Sequence, residues 1–184
     1  MAHILLFLLL ALPVFAQPAA AQATKDAPRE KLTMTLKTGK VVIELRADLA
    51  PKHVERMKLL AREGFYEGIA FHRVVEGYVA QAGDPTGTGF SGSKHGYLAA
   101  EFSGYVYRRG TVGMARTKEP DTGNSQFFIC FNDESCKRLT GSYTVFGQVI
   151  EGMELIDKLT RVEPPGQPEE NRILKMEIAA GESK

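Results

Sequence analysis

The stretch FHRVVEGYVAQAGD, residues 71–84, alternates apolar and polar side chains around a central Glu-Gly pair. Alternation with a period of two is typical of a half-buried strand, and the Glu-Gly pair supplies a turn between two such strands. On these strands Arg73 and Gln81 fall on one face together with Phe71 and Val79. The sequence therefore predicts a hairpin that holds a cation and an amide among apolar groups. Taken alone, Arg73 could also be a surface residue in an ion pair.

A second stretch of the same kind is NSQFFI, residues 124–129, in which amides adjoin aromatic side chains inside an apolar strand. Together the two stretches predict a pocket with an apolar floor and a few fixed hydrogen-bond donors. That composition is usual for a site that binds a small ligand.

The remaining chain is predicted to form mainly short strands, at residues 32–36, 41–45, 111–115, 126–131, 143–149 and 173–178. One helix is predicted to begin at Pro51 and end at Gly64, and a shorter one covers residues 152–159. Residues 84–110 are rich in Gly, Ser and Tyr and are predicted to be long loops. Many short strands with two helices favour a mainly β protein built as a closed antiparallel barrel, because closure removes exposed strand edges.

The composition is that of an ordinary globular protein. The chain has 184 residues, of which 43% are hydrophobic and 24% charged, and this is typical of one soluble domain. Its 23 basic side chains nearly balance 22 acidic ones, which leaves a formal net charge of +1. Binding to nucleic acid or to an anionic membrane needs a basic field, so the charge balance argues against both partners.

The N-terminal residues differ in character from the rest of the chain. Residues 4–15 form an apolar run interrupted only by a proline, and possible cleavage sites follow after Ala16 and Ala23. The run is too short to span a bilayer, so residues 1–23 are predicted to be a secretory signal peptide. The segment before the run lacks Lys and Arg, which leaves an uncleaved anchor or a buried helix as alternatives.

A signal peptide would place the mature protein in the periplasm or outside the cell. The polar residues 24–32 are predicted to be a linker, and residues 33–181 to form the folded domain. An exported protein meets an oxidising compartment, which permits a disulfide between Cys130 and Cys136. The alternative is that Cys130 is a small core residue and Cys136 a loop residue. Without paired histidines nearby, the two cysteines do not make a zinc pattern.

Residues 87–92, GTGFSG, match the G-x-G-x-x-G pattern of a phosphate-binding loop. Such a loop follows a strand and opens a helix, whereas the residues after this one are not helical in pattern, so nucleotide binding is the weaker interpretation. The sequence shows no nucleophile beside a base, and its histidines are scattered. This favours a reaction driven by binding alone, with no cofactor and no metal.

Five motifs in order, FHRVVEGYVAQAGD, GTGFSG, GMART, NSQFFI and YTVFGQV, resemble the cyclophilin family of peptidyl-prolyl cis-trans isomerases. The resemblance covers residues 33–180 and is closer to bacterial members than to eukaryotic ones. It implies an eight-stranded barrel with a helix capping each open end. It also implies catalysis of rotation about X-Pro bonds. The alternative is a catalytically silent peptide-binding or chaperone module on the same barrel.

The resemblance implies the site residues as well. Arg73 and Gln81 are the predicted catalytic residues: Arg73 acts on the nitrogen of the twisting amide, and Gln81 holds the substrate carbonyl or orders the guanidinium. The predicted substrate-binding residues are Tyr78, Val79, Gly87, Ala115, Arg116, Thr117, Gln126, Phe128, Leu139 and Tyr143.

Three kinds of contact are expected from these substrate-binding residues. The proline ring is expected between four apolar or aromatic side chains, Tyr78, Val79, Phe128 and Leu139. The backbone of residues 115–117 is expected to take the residues before the proline as an extended strand. Gln126 is expected to orient the network of Gln81.

The sequence departs from the family pattern in the pocket wall. It contains no tryptophan, and Arg138 precedes Leu139 where eukaryotic members carry an indole. Tyr143 stands where the family often has a histidine. Weak binding of cyclosporin is therefore expected. The expected partners are proline-containing unfolded or nascent polypeptides, with no nucleic acid, no membrane after signal cleavage, and a monomeric state.

Overall fold

The structure is a computed structural model, and it describes residues 29–179. The predicted signal peptide, residues 24–28 of the predicted linker, and residues 180–181 lie outside the described residues. Strand β1 begins at Lys31, and Leu32 is fully buried in the core. The folded domain therefore begins two residues before the predicted boundary at residue 33.

Eight strands make up most of the regular structure. They are β1 (Lys31–Leu36), β2 (Gly39–Leu45), β3 (Arg73–Val75), β4 (Val79–Ala82), β5 (Thr111–Met114), β6 (Phe127–Cys130), β7 (Val145–Glu151) and β8 (Ile173–Ile178). Within residues 29–179 there are three α-helices: α1 (Pro51–Arg62), α2 (Asp133–Lys137) and α3 (Met153–Ile156). Short 3-10 turns lie at Pro120–Thr122 and Glu169–Asn171.

The eight strands form one antiparallel sheet in the order β3-β4-β6-β5-β7-β2-β1-β8. The edge strands β3 and β8 form no ladder with each other. Val74 of β3 pairs instead with Val162 in the loop before β8, and Ala70 pairs with Arg172. The prediction of a closed barrel is therefore wrong, because the sheet is a half-barrel. The loop around Val162 covers the outer edge of β3, which protects that edge without closure.

The strands place apolar side chains on both faces of the sheet. In β6, Phe127 and Ile129 belong to the main core, whereas Phe128 and Cys130 belong to a second, smaller cluster on the other face. This follows from the alternation of side chains along a strand. Helix α1 packs onto the main core, while the second cluster lies beneath the candidate site.

The helices agree with the predictions in part. Helix α1 has Pro51 in its first turn, and Gly64 follows its end with a positive φ of 65°, which favours glycine. Helix α3 is shorter than the predicted segment, and α2 was not predicted. Within residues 29–179, no helix combines the length and the apolar character needed to cross a bilayer.

Candidate active site

The β3-β4 hairpin sets the two predicted catalytic residues directly opposite each other. Arg73 is the cross-strand partner of Gln81, so both side chains project from the same face. Val79 shares that face and joins the second cluster. Phe71 does not, and its predicted place on this face is wrong. It precedes β3, lies fully buried in the main core, and contacts the Phe127 ring edge-to-face at 6.0 Å.

A cavity of about 90 Å³ opens on this face. Every residue of its lining was predicted from the sequence: Arg73, Tyr78, Val79, Gln81, Ala115, Arg116, Phe128, Leu139 and Tyr143. Its apolar side chains are nearly buried, with exposed fractions of 3% for Val79 and 4% for Phe128. The volume equals about three water molecules, which suits one small ring better than a drug-sized ligand. We call it the proline pocket below.

Aromatic packing fixes the floor of the proline pocket. The Phe128 ring stacks on Tyr107 at a centroid distance of 5.8 Å and meets Tyr143 edge-to-face at 5.5 Å. Tyr107 is buried and its hydroxyl donates to the carbonyl oxygen of Thr144 at 3.3 Å. Such aromatic pairs add to the energy of burial. Tyr107 was not predicted, because it comes from a loop with no pattern that marks it as a pocket residue.

Three guanidinium groups surround the proline pocket, and their environments differ. Arg116 lies 4.5 Å from the Tyr143 ring centroid and donates to the backbone carbonyls of Ser142, Thr117 and Lys118. Its donors are therefore occupied by the protein itself. The Arg116 guanidinium therefore stabilises the Tyr143 ring of the pocket wall through a cation–π contact, rather than binding a ligand.

Arg138 and Arg73 both lie against Tyr78. The Arg138 guanidinium is 4.5 Å from the ring centroid, and that of Arg73 is 5.9 Å away. Arg138 thus covers the face of the Tyr78 ring. The nearest acidic partner of Arg73 among residues 29–179 is Glu163, with Nε and Oε2 3.5 Å apart. Glu163 was missed, because ninety positions of sequence separate it from Arg73 and no motif joins them.

A chain of hydrogen bonds runs from the side-chain amide of Gln81 through that of Gln126 to the glycine-rich loop. Gln81 Nε2 donates to Gln126 Oε1 at 2.8 Å, and Gln126 Nε2 donates to the carbonyls of Gly89 and Ser91 at 3.0 and 2.8 Å. No hydrogen bond joins Gln81 to Arg73 within the described part of the chain. Gln81 is therefore bonded to Gln126 and not to the Arg73 guanidinium, and the predicted roles of the two glutamines stay predictions.

A second cavity adjoins the proline pocket and has a volume of about 640 Å³. Gln126 and Thr117 line it, and it shares Gln81 and Ala115 with the proline pocket. Gly87, a predicted binding residue, lines neither cavity. Its carbonyl accepts a hydrogen bond from Gly166 at 3.3 Å, which turns it towards another loop.

The glycine-rich loop is wrapped around a carboxylate of the protein. Asp84 accepts hydrogen bonds from the backbone N–H groups of Thr86, Gly89 and Ser91 at 2.7, 2.6 and 3.2 Å. Burial opposes ionisation of Asp84, but the hydrogen bonds from Thr86, Ser91 and Gly89 hold its pKa below the ordinary value. These donors are already used, so the loop does not present a phosphate cradle.

A disulfide joins Cys130 at the end of β6 to Cys136 in α2, with the Cα atoms 6.1 Å apart. The two cysteines are therefore paired, and the alternative of two unpaired cysteines, one in the core and one in a loop, is wrong. The N-cap residue Asn132 and Ser135 both donate to the carbonyl of Gly77 in the hairpin turn, at 2.6 and 2.7 Å. Helix α2 is therefore fastened both to β6 and to the β3-β4 turn, and it carries Leu139 into the proline pocket.

The three histidines in the described part of the chain, His53, His72 and His95, take no part in a nucleophile–base arrangement. His53 Nδ1 lies 2.6 Å from Glu101, and His95 Nε2 lies 2.8 Å from Glu63. His72 is fully buried next to Arg73, and neither ring nitrogen has a hydrogen-bond partner in the described residues. Burial lowers the pKa of His72, and the nearby Asp84 offsets this only in part.

Comparison with known proteins agrees with the geometry. Residues 31–178 match the family model described as cyclophilin type peptidyl-prolyl cis-trans isomerase/CLD. A probable peptidyl-prolyl cis-trans isomerase of Brucella suis is 44% identical over 168 residues, covering 85% of this chain and 83% of the relative. A peptidyl-prolyl cis-trans isomerase of Helicobacter pylori is 42% identical over 130 residues, covering 68% of this chain and 78% of the relative.

A solved structure is similar to the whole described domain. The cyclophilin-type isomerase of Cryptosporidium parvum, crystallised in the presence of the dipeptide Ala-Pro, superposes with a TM-score of 0.74 at 29% identity. The match covers 82% of this chain and 99% of that one. With the family model matching most of the chain and relatives above 40% identity, the chain belongs to the cyclophilin-type peptidyl-prolyl cis-trans isomerases.

Proposed function

We propose that this isomerase acts on X-Pro bonds of exported polypeptides during their folding, with Arg73 as the catalytic residue. The observation that supports the catalytic assignment is the proline pocket, a cavity with an apolar floor. The Arg73 guanidinium lies at its edge and makes no hydrogen bond with the described residues. The reaction needs no acid, base or nucleophile. It needs a site that binds the twisted amide better than the planar one.

The barrier to be lowered comes from amide resonance. The planar X-Pro bond resists rotation by roughly 18–20 kcal/mol because the nitrogen shares its lone pair with the carbonyl. When the bond twists, the nitrogen becomes pyramidal and can accept a hydrogen bond. A fixed guanidinium donates to that nitrogen more strongly in the twisted state than in either planar state. This difference in binding is what accelerates rotation.

Arg73 suits this role better than its neighbours. The donors of Arg116 are bonded to backbone carbonyls, and Arg138 does not line the proline pocket. Arg73 lines the pocket, and its ion pair with the mostly exposed Glu163 is long at 3.5 Å. Exposed ion pairs of this kind contribute little energy, so a substrate amide can replace Glu163 at small cost.

The backbone of residues 115–117 is proposed to hold the residues before the proline. The N–H groups of Ala115 and Thr117 are already bonded, to Gln126 O and to Thr122 Oγ1. The N–H of Arg116 has no partner among the described hydrogen bonds. We therefore assign Arg116 N–H as the backbone donor to the substrate, with Gln81 Oε1 available as an acceptor beside it.

The decisive experiment is Arg73→Ala, assayed by kcat/KM on a short proline peptide. Loss of a charged hydrogen bond used mainly in the transition state should cost about 3–4 kcal/mol, or about 10²–10³ in rate. Arg73→Lys should restore little, because an ammonium cannot present the planar fork of the guanidinium. Arg62→Ala, at an exposed position in the last turn of α1, is the matched control and should leave the rate unchanged.

Circular dichroism and thermal denaturation of each variant establish that the fold is intact. A folded Arg73→Ala protein within about threefold of the wild-type rate would mean that the cation is structural and the mechanism is wrong. A wild-type protein that binds proline peptides without accelerating their isomerisation would instead favour the catalytically silent peptide-binding module.

The proposed setting, the periplasm or the cell exterior, rests on two features. The N-terminal apolar run has the length of a signal peptide, and the disulfide needs an oxidising compartment to persist. N-terminal sequencing of protein from its native host tests the proposal. Mature protein should begin after Ala16 or Ala23, whereas protein that keeps Met1 on a membrane would contradict it.

A further inference from the structure

A groove of about 640 Å³ lies next to the proline pocket and is not needed to hold the proline. Its walls are the ring of Phe90 and the rings of Pro164 and Pro165. Arg73 and Gln81 line both the groove and the proline pocket, so the two spaces are continuous along these side chains. We call this space the Phe90 groove.

The two loops that form the Phe90 groove are fastened to each other. Gln167 Nε2 donates to the carbonyl of Thr86 at 2.8 Å, and Gly166 N donates to the carbonyl of Gly87 at 3.3 Å. Asp84 holds the backbone on either side of Phe90 through Gly89 N and Ser91 N. The backbone on both sides of the groove is therefore fixed before a ligand arrives, which limits the conformational entropy that the loops lose on binding.

Phe90 itself contributes nothing to the fold. Its side chain is 95% exposed, although it is a large apolar group on a loop held by several hydrogen bonds. A single exposed aromatic side chain is common on protein surfaces and does not by itself indicate a binding site. Here it forms one wall of a groove whose other wall consists of two proline rings, and the groove opens onto the catalytic guanidinium. That combination points to a ligand rather than to chance exposure.

The occupant can be deduced from the path of the substrate. A polypeptide with its proline in the proline pocket leaves in two directions, and the preceding residues are assigned to the cavity lined by residues 115–117. The residue after the proline then passes Arg73 and reaches the Phe90 groove. We infer that this groove binds a large apolar or aromatic side chain immediately after the proline, so that the enzyme prefers X-Pro-aromatic sequences. This inference rests on the proposed function.

The chemistry of the walls supports this choice of side chain. Three apolar rings offer flat surfaces to an aromatic group, and their burial removes apolar area from water. The residues that line the groove include no carboxylate, so a lysine or arginine after the proline would find no ion-pair partner in its walls. Glycine at the same position would leave the groove empty and gain nothing from it.

The test compares peptides that differ only after the proline, Ala-Ala-Pro-Phe and Ala-Ala-Pro-Gly. Isomerisation is measured by NMR exchange spectroscopy, which needs no coupling protease and treats both peptides alike. Wild type should favour the Phe peptide in kcat/KM by on the order of tenfold, as expected for one apolar contact in a binding pocket. Phe90→Ser should reduce that preference to less than about twofold, mainly by lowering the rate on the Phe peptide.

Tyr97→Ser is the matched control. Tyr97 is also an exposed aromatic, at 69%, but it lines only the cavity for the preceding residues. This variant should keep the wild-type preference. Phe90 lines this cavity as well as the Phe90 groove, so a second peptide pair, which varies only the residue before the proline, checks that Phe90→Ser acts after the proline.

The outcomes separate the inference from the function on which it rests. No acceleration of either peptide by wild type would refute the proposed function. Equal rates on the two peptides, or a preference that Phe90→Ser leaves intact, would refute the Phe90 groove and leave the isomerase mechanism standing. An effect of Phe90→Ser confined to the peptide pair that varies before the proline would assign Phe90 to the other cavity and also refute the inference.

Discussion

Reduction of the Cys130–Cys136 disulfide should weaken both the fold and the active site. The bond closes a loop with a sequence separation of 6, and the chain-entropy model assigns about 2 kcal/mol to a loop this short. Both cysteines lie at 0% exposure in the cluster that also contains Leu139. Without the bond, α2 is held to the domain only by hydrogen bonds near its N-terminus, to Gly77 and from Arg109 N to Asp133, so the Leu139 wall of the proline pocket should loosen. We expect kcat/KM to fall by on the order of tenfold.

The assay measures unfolding by urea and kcat/KM on one proline peptide, each with and without dithiothreitol. The free energy of unfolding should drop by about 2 kcal/mol, and the rate should fall at temperatures where circular dichroism shows folded protein. The Cys130→Ala/Cys136→Ala variant should behave like reduced wild type and should not respond to dithiothreitol. Alanine is preferred to serine because both sites are apolar and buried. A folded, reduced wild type with unchanged kcat/KM would refute the link from the disulfide to the pocket.

Two further predictions concern ligand binding and pH. Cyclosporin should bind about 1–3 kcal/mol more weakly than to cyclophilins that carry tryptophan in the pocket wall, and Arg138→Trp should recover part of that affinity in a calorimetric titration. Burial lowers the pKa values of His53 and His72, so the unfolded chain takes up protons first as the pH falls below about 6.5. The free energy of unfolding should therefore decrease from pH 7 to pH 5, less steeply in His72→Gln, and urea titrations without that slope would contradict the assignment.

Local patterns in the sequence were sufficient to predict the face that carries the site. The alternation in residues 71–84 fixes which side chains are neighbours across the hairpin, and Arg73 does lie opposite Gln81. The same rule fails for Phe71 because β3 begins only at Arg73, and alternation has no meaning outside a strand. The lining of the proline pocket was predicted through the family resemblance, because residues as far apart as Tyr78 and Tyr143 share no local pattern.

Contacts between loops that are distant in the chain could not be predicted from the sequence. Closure of the barrel depends on whether β3 meets β8, and the backbone pairing of Val74 with Val162 decides it. Neither stretch contains a signal that it pairs with a loop rather than with a strand. The same loop supplies Glu163 to Arg73, and Pro164 and Pro165 to the Phe90 groove. A single loop before β8 thus accounts for three of the features that the sequence did not predict: the open barrel, the ion pair of Arg73 and one wall of the Phe90 groove.

That loop also explains how one scaffold can keep its chemistry and vary its clients. Four residues of the proline pocket, Arg73, Val79, Gln81 and Phe128, lie on strands of the sheet, and the aromatic packing around Phe128 leaves little freedom at the pocket floor. The apolar walls of the Phe90 groove, Phe90, Pro164 and Pro165, come from two loops outside the strands. Changes in the rings at Phe90, Pro164 or Pro165 would alter the preference for the residue after the proline without moving Arg73. On the proposed mechanism, rate enhancement would depend on the strand residues Arg73 and Gln81, and selectivity on the loops beside them.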